Sequence, residues 1–173
     1  MVAVCDDFIG PIPQAVSQHF HFAPGIRLEH DGNALAGQGR EVKFKMYTFA
    51  ENRPIAQTME EGLYSAHYNQ LSTAPVADAT ASGVGSLITI LVRGEGNVTP
   101  VQLTNFSYGR TLSPNEGEGY IIHANGRRYG LALLHQDVGN VQDLNGFEGV
   151  YGLGRTMVCD LDSKPSHMTV LQW

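Results

Sequence analysis

Hydrophobic and polar residues alternate with a period of two along much of the chain. Alternation of this kind is typical of β-strands that bury one face. Gly, Pro, Asn and Asp interrupt the alternating runs at regular intervals, as turns between strands require. The pattern predicts about eight to ten strands, near residues 16–22, 26–30, 38–49, 60–70, 84–93, 98–108, 118–125, 128–136, 147–158 and 167–173.

Four segments between these strands are rich in turn residues. They read HDGN (30–33), GEGN (94–97), SPNEGEG (113–119) and ANGR (124–127). The Asn-Gly pair in the last segment is the strongest short signal for a tight β-hairpin. Neighbouring strands are therefore expected to pair antiparallel.

Helical patterns are scarce. The best candidates, residues 51–61 and 71–81, contain Pro54 and Pro75, and the second has mostly small side chains. Proline interrupts a helix, and many strands without crossover helices must form antiparallel sheet that closes or stacks to protect its edges. We therefore expect an all-β fold, a single small antiparallel β-barrel of about eight strands.

The first 15 residues differ from the rest of the chain. They contain Pro11 and Pro13 and carry no strand pattern. No internal repeat or shift in composition marks a second domain elsewhere. We predict an irregular N-terminal arm or lid over residues 1–15 and one β-barrel domain over residues 16–173.

Composition and charge narrow the possible partners. The 173 residues are 42% hydrophobic and 16% charged, with no apolar run long enough to span a membrane, so we expect a soluble protein. Seventeen acidic and eleven basic residues give a formal charge of −6, and Arg127-Arg128 is the longest basic cluster. Nucleic acid is therefore not expected as a partner, and neither is a membrane.

The N-terminus and the cysteines indicate a compartment. The opening residues lack the basic and apolar regions of a secretory signal, so we predict a cytoplasmic protein with Cys5 and Cys159 reduced. Asp6 and Asp7 follow Cys5 directly, and their charges should raise the pKa of its thiol. Neither cysteine has a neighbour that would activate it as a nucleophile.

Common catalytic and cofactor motifs are missing. The glycine-rich stretch GFEGVYGLGR (146–155) lacks the spacing of a phosphate-binding loop, so we interpret it as a strand bent at its glycines. His19 and His21 share one strand face, but the later ligands of a cupin do not follow at the required spacing. We expect no cofactor and no metal, and keep a cupin-like metal enzyme using His19 and His21 as an alternative.

Aromatic and amide side chains supply the remaining candidate chemistry. They share strand faces in three groups, and such mixed faces suit a pocket that orients a mostly hydrophobic ligand. Tyr64 and His135 are the candidate catalytic residues. A hydrogen bond from a Tyr or Gln side chain to a substrate carbonyl would assist the reaction. The candidate substrate-binding residues are Tyr68, Gln70, Gln102, Phe106, Tyr108, Tyr129, Leu131 and Leu133.

Two segments resemble a known barrel family. Residues 133–158 place Gly-Phe-Glu-Gly-x-Tyr-Gly before a final long strand, and GYIIHANG (119–126) reads as a hairpin. The pattern is similar to that of allene oxide cyclase-like and dirigent-like barrels, over roughly residues 84–160. DLNG (143–146) replaces the dirigent Gly-Thr-Gly turn, so bacterial spirotetronate cyclases are the closest type. No catalytic residue is carried over from the family.

The resemblance implies a cyclase of polyketide-type natural-product biosynthesis. In that reading a hydrophobic polyene folds in the barrel cavity and closes a ring by intramolecular [4+2] cycloaddition, as in a Diels-Alderase. Holding the reacting ends together lowers such a barrier without a cofactor. A non-catalytic, lipocalin-like carrier of a small apolar ligand is the alternative, and a homodimer is possible in either case.

Overall fold

A computed structural model describes residues 1–8, 15–135, 142–163 and 168–172. These residues form β-strands joined by turns and contain no helix, which confirms the all-β prediction. No helix in the described ranges is long and apolar enough to cross a membrane. The strands are β1 Val2–Asp7, β2 Val16–His21, β3 Arg27–Asp31, β4 Ala34–Gln38, β5 Lys43–Ala50, β6 Arg53–Pro54, β7 Gln57–His67, β8 Gln70–Ala81, β9 Ser86–Arg93, β10 Asn97–Val101, β11 Thr104–Asn105, β12 Arg110–Thr111, β13 Gly117–Ala124, β14 Arg127–Leu134, β15 Asn145–Phe147, β16 Val150–Gly152, β17 Thr156–Asp160 and β18 Met168–Gln172.

The strands form four antiparallel sheets. Sheet A has the order β1-β9-β5-β4-β3, with β6 paired to β5, and sheet B has the order β2-β8-β7. Sheet C has the order β10-β13-β14-β17-β18, and sheet D has the order β12-β11-β15-β16. The chain crosses from sheet A to sheet C through the predicted turn at 94–97, between β9 and β10.

Sheets A and C pack face to face around the largest core cluster. Phe49 and Ile88 of sheet A meet Tyr120, Ile122 and Leu131 of sheet C, and all five are buried. The rings of Phe49 and Tyr120 lie 5.0 Å apart between centroids. Contact between apolar faces of this kind supplies most of the favourable free energy of folding.

Sheets B and D cover the outer faces of this sandwich. Ala77 and Phe20 of sheet B pack on Met46 of sheet A. Phe147 of sheet D packs with Ile121 of sheet C. The layers therefore follow the order B–A–C–D, with two inner and two outer sheets.

The prediction of a single closed barrel is wrong, because these sheets are open and stacked. The central strands of sheets A and C bury both faces, as the run of buried residues along β9 shows. A strand buried on both faces has a nearly continuous apolar sequence, as in LITILV (87–92). Such runs indicate inner layers rather than the one-sided wall of a barrel.

Three local predictions also differ from the structure. Residues 2–7 of the expected irregular arm form β1, which pairs antiparallel with β9. Residues 9–14 of that arm lie outside the described residues. The two helical candidates, 51–61 and 71–81, instead contribute to β6, β7 and β8. In β8 the buried residues are mostly alanines, which carry too little apolar signal for a strand to be recognised.

The stretch 146–155 is a hairpin and not one bent strand. Strands β15 and β16 flank a two-residue turn at Glu148 and Gly149, whose φ angles are 48° and 76°. A Cβ on Gly146 would lie 2.0 Å from the carbonyl oxygen of Val150, so only glycine fits there. Glycine therefore serves a close backbone approach at this hairpin.

Two predicted hairpins are confirmed. Asn125 and Gly126, with φ angles of 53° and 74°, form the turn between β13 and β14. Gly32 and Asn33 connect β3 to β4, which pair from Asp31 and Ala34 outward. In both cases a residue that tolerates positive φ allows a two-residue connection.

Candidate functional site

Polar side chains gather at one end of the interface between sheets A and C. Strand β1 ends there at Asp7, β9 begins at Ser86, and His135 directly follows β14. Glu118 and Tyr120 lie near the start of β13, on the face that points toward sheet A. The antiparallel order brings these ends together although they are far apart in sequence.

Glu118 is the centre of this cluster, with 0% of its surface exposed. Its Oε1 accepts hydrogen bonds from the backbone N–H of Asn52, at 2.6 Å, and from the hydroxyl of Tyr120, at 3.1 Å. Its Oε2 accepts a hydrogen bond from the hydroxyl of Ser86, at 2.7 Å. A buried carboxylate needs such donors, because leaving water is otherwise very costly.

The turn between β5 and β6 presents one of these donors. Glu51 and Asn52 both have positive φ angles, 52° and 62°, and form the two-residue connection. A positive φ angle is unfavourable for most residues other than glycine, but asparagine adopts it more readily than most. The unusual turn backbone therefore directs the Asn52 N–H at Glu118.

His135 lies between two carboxylates and is 8% exposed. Its Nδ1 lies 2.6 Å from Oδ1 of Asp7, and its Nε2 lies 3.2 Å from Oε2 of Glu118, without hydrogen-bond alignment. Burial lowers the pKa of the imidazole, but the hydrogen bond that it donates to Asp7 and the interaction with Glu118 outweigh burial and raise the pKa to about 9. His135 is therefore an imidazolium at neutral pH.

The neighbouring weak acids keep their protons. Burial, followed by the charge of Glu118, raises the pKa of the Tyr120 hydroxyl, so Tyr120 stays a hydrogen-bond donor. The pKa of Cys5 is raised to about 12, as predicted in direction. Cys5 keeps an exposed surface, yet loss of hydration at its thiol is the largest cause, ahead of the charge of Asp7. Cys5 is therefore not a thiolate nucleophile.

A cleft of about 420 Å³ adjoins the cluster, between β1 and the paired strands β14 and β17. Asp7 belongs to its wall and also holds His135. Arg155 is a positively charged residue in the lining of the cleft. Among the described residues, no carboxylate forms an ion pair with it. The lining residues are Cys5, Asp6, Asp7, Phe8, Leu133, Leu134, Arg155 and Thr156.

The sequence-predicted site residues fall into three separate places. Tyr64, Tyr68 and Gln70 lie on the β7–β8 hairpin with exposed side chains. That hairpin belongs to sheet B, an outer layer. Tyr64 is therefore not beside His135, the other candidate catalytic residue.

The second group lies on the opposite outer layer. Gln102 precedes β11 and is exposed, while Phe106 and Tyr108 follow β11 in sheet D. Phe106 packs on Tyr151, with the ring centroids 4.8 Å apart. These side chains form a surface patch and do not line an interior cavity.

The third group is the one the structure brings to the cluster. Tyr129, Leu131 and Leu133 share a face of β14 and pack in the core between sheets A and C. His135 continues that face beyond the strand end. Leu133 also lines the cleft, so this part of the predicted set lies at the candidate site.

Sequence reasoning missed the acidic partners of His135. Glu118 is followed in its strand by the mostly apolar run GYIIHA (119–124). A carboxylate next to such a run indicates a buried group that is functional or paired. Asp7 gave no comparable signal, because its position depends on β1 pairing with β9.

The described residues contain no cluster of side chains suited to bind a metal ion. No group of three or more His, Cys, Asp or Glu side chains in those ranges could hold a metal ion. His19 of the cupin-like alternative forms an ion pair with Asp78 instead. His19 and Asp78 lie opposite each other on β2 and β8.

Comparison with family models, curated proteins and solved structures found no match to this chain. The resemblance to allene oxide cyclase-like barrels therefore stays a prediction, and so does the [4+2] cyclisation of a hydrophobic polyene that it implies.

Proposed function

We propose that the protein is a cofactor-independent enzyme that moves a proton on a small, anionic carbonyl compound in the cleft between β1 and β14. The observation that carries this proposal is the position of Asp7. Its carboxylate belongs to the cleft wall and is also held by His135, which is itself backed by the buried Glu118.

Asp7 is the proposed general base. Its carboxylate oxygen that does not bind His135 takes a proton from the carbon next to the substrate carbonyl. The electron pair of that C–H bond passes into an enolate, and Asp7 returns the proton to another atom of the same system. No electrons are lost or gained, so the reaction is an isomerisation that needs no oxidant.

His135 is a positioning residue in this scheme. The imidazolium fixes the orientation of the Asp7 carboxylate through a 2.6 Å contact, and fixed groups act without reorganising during the reaction. Glu118 balances the charge of His135 and is held by three donors of its own. The cluster therefore keeps the base in one geometry.

Arg155 selects the substrate class. A guanidinium in a cleft binds carboxylate or phosphate through paired hydrogen bonds, and it also stabilises negative charge that develops on an enolate oxygen. Asp6 and Asp7 at the same cleft repel a second negative group. A small molecule with one acidic group and a carbonyl is thus the proposed substrate.

The proposal predicts hydrogen–deuterium exchange at substrate carbon. The protein is incubated in D₂O with a panel of small 2-oxo and 3-oxo acids, and proton NMR follows the loss of the C–H signal beside the carbonyl. We expect exchange faster than in buffer, and at least about a 100-fold slower rate for Asp7→Asn, since general base catalysis contributes that much. Arg155→Met should raise KM, because an ionic contact with the acidic group is lost, and should also lower kcat, because the enolate charge is less stabilised.

The matched control is Asp31→Asn, which removes a carboxylate on β3 that pairs with Lys45 outside the cluster. Thermal unfolding checks that every variant is folded. The proposal is wrong if the wild-type protein exchanges no compound of the panel faster than buffer does. It is also wrong if Asp7→Asn exchanges as fast as the wild type.

A further inference from the structure

The β7–β8 hairpin extends beyond the sheet that supports it. Strand β2 pairs with β8 from Ala81 only as far as Val76, while β7 and β8 continue to pair to the turn after His67. The backbone N–H of Phe22, just after β2, also donates to the carbonyl of Pro75, and Ala74 is buried. Residues 63–73 therefore project as a two-stranded unit, the projecting ribbon. Two strands without further support are marginally stable in water.

The projecting ribbon carries exposed apolar side chains on both faces. Leu63, Tyr68 and Leu71 are 69%, 92% and 70% exposed. Leu63 lies opposite Thr73, and Tyr64 lies opposite Ser72 on the other face of the ribbon. Large apolar groups clustered in this way mark a surface that is covered by a partner.

A second apolar surface lies on sheet D. Its aromatic members, Phe106 and Tyr151, pack on each other and remain exposed. Tyr108 and Leu153, which follow β11 and β16, are 72% and 37% exposed. We refer to these four residues as the sheet D patch, and aromatic side chains of this kind are enriched at protein interfaces.

The layer order keeps the two surfaces of one chain apart. The ribbon belongs to sheet B, and sheets A and C separate sheet B from sheet D. One copy therefore cannot cover its own patch with its own ribbon. The same two surfaces on different copies have no such restriction.

Charge favours contact between the two surfaces. Residues 57–81 contain Glu60, Glu61 and Asp78 and no Lys or Arg. The sheet D segments, 104–112 and 145–155, contain two arginines against one glutamate. Arg110 is paired with Glu116, Glu148 with Arg128, and Asp78 with His19. Among the described residues, the charges of these segments that have no ion pair are Glu60 and Glu61 at the base of the ribbon and Arg155 beside the patch. Opposite charges on the two surfaces favour their association.

We propose that the projecting ribbon of one copy docks onto the sheet D patch of a second copy. The contact joins two different surfaces, so it is heterologous, and repetition of it gives a ring or an open chain of subunits. Edge strand β7 and the apolar ribbon tip are then covered, which removes the exposed features of this hairpin.

Sedimentation velocity of the full chain over a range of concentrations tests the proposal. We expect the wild type to associate into dimers or larger species. Tyr68→Glu on the ribbon and Tyr108→Glu on the patch should each weaken association at least tenfold. A mixture of the two variants keeps one intact ribbon and one intact patch, so it should form 1:1 dimers and nothing larger.

Val42→Glu is the control, because it places the same charge on an exposed apolar residue between β4 and β5. It should associate like the wild type. A wild type that stays monomeric at all concentrations would overturn the proposal. If Tyr108→Glu associates like the wild type, the ribbons pair with each other instead. If the mixture of the two variants stays monomeric, the ribbon and the patch do not meet. Either result overturns the proposal.

Discussion

At His135 two opposing effects act on one imidazole. Burial favours the neutral ring, whereas Asp7 and Glu118 favour the charged one, and the carboxylates prevail. The result is a buried imidazolium between two acids, which links the N-terminal strand to sheet C. The same contact that positions Asp7 therefore contributes to the stability of the fold.

The stability of the protein should depend on the charge of His135. The folded pKa of about 9 lies above the ordinary value of about 6.5, so the contribution is fully present below pH 6.5 and is lost as the pH rises through 9. We expect the free energy of unfolding to fall by up to about 3 kcal/mol across this window. Urea unfolding at pH 6.5 and 9.5 measures the change.

Other groups also titrate in that window, so the comparison is with His135→Gln. At pH 6.5 the variant should be less stable than the wild type. Its free energy of unfolding should change much less between pH 6.5 and pH 9.5 than that of the wild type. An equal decrease in the variant and the wild type would contradict the assignment of the pH dependence to His135.

The sequence indicated His135 as a candidate catalytic residue but did not indicate its contacts with Asp7 and Glu118. Alternation along β14 places Leu131, Leu133 and His135 on one face, and this is local information. The partners come from β1 and β13, and their meeting depends on the stacking of two sheets. The spacing of residues along the chain therefore does not predict that Asp7 and Glu118 lie next to His135.

At the level of elements, a chain of buried hydrogen bonds joins sheets A and B. The Gln57 amide donates to the Thr48 hydroxyl, at 2.7 Å, and the Thr89 hydroxyl donates to Oε1 of Gln18, at 2.6 Å. The two threonine oxygens lie 2.7 Å apart. Since the proton of Thr89 goes to Gln18, the Thr48 hydroxyl must donate to Thr89. The chain ends at Asp6, which accepts from Gln18.

Thr89→Val keeps the shape of the side chain and removes the central hydroxyl. Gln18 then loses a donor and Thr48 loses an acceptor, both away from water. We expect the free energy of unfolding to fall by about 2 kcal/mol, the usual effect of leaving buried polar groups unpaired. Urea unfolding measures the change, and Thr99→Val, at an exposed position of β10, is the control. A loss as small as that of the control would contradict the role of this chain.

Elements with local signals were predictable, and elements defined by contacts were not. The β13–β14 hairpin follows from Asn125-Gly126, whose backbone the turn requires. Strand β8 was missed because its buried face consists largely of alanines, including Ala77 and Ala79. Ala77 packs on Leu35 and Met46 of sheet A, so the need for small side chains here comes from the stacking of the two layers.

At the scale of the molecule, the order of the layers explains why the barrel prediction failed. Strand pairing alone does not say whether a sheet closes on itself or is covered by another sheet. The doubly buried strands β9 and β13 required covers on both sides, and sheets B and D supply them. One region, the projecting ribbon, lies outside this arrangement.

The last prediction separates the projecting ribbon from the folded core. Gly62 and Ala74 face each other across the hairpin, so residues 63–73 can be replaced by an Asn-Gly turn that joins them directly. The core clusters contain no residue of the deleted segment. The free energy of unfolding should therefore change by no more than about 1 kcal/mol, measured by urea unfolding.

Self-association of the shortened protein should be lost, because the deletion removes Leu63, Tyr68 and Leu71 together. Its sheet D patch is intact, so it should still bind one copy of Tyr108→Glu, whose ribbon is intact. A decrease of several kcal/mol in stability would instead show that the ribbon supports the fold of its own chain. In that case its apolar tip serves folding, and the separation of core and ribbon is wrong.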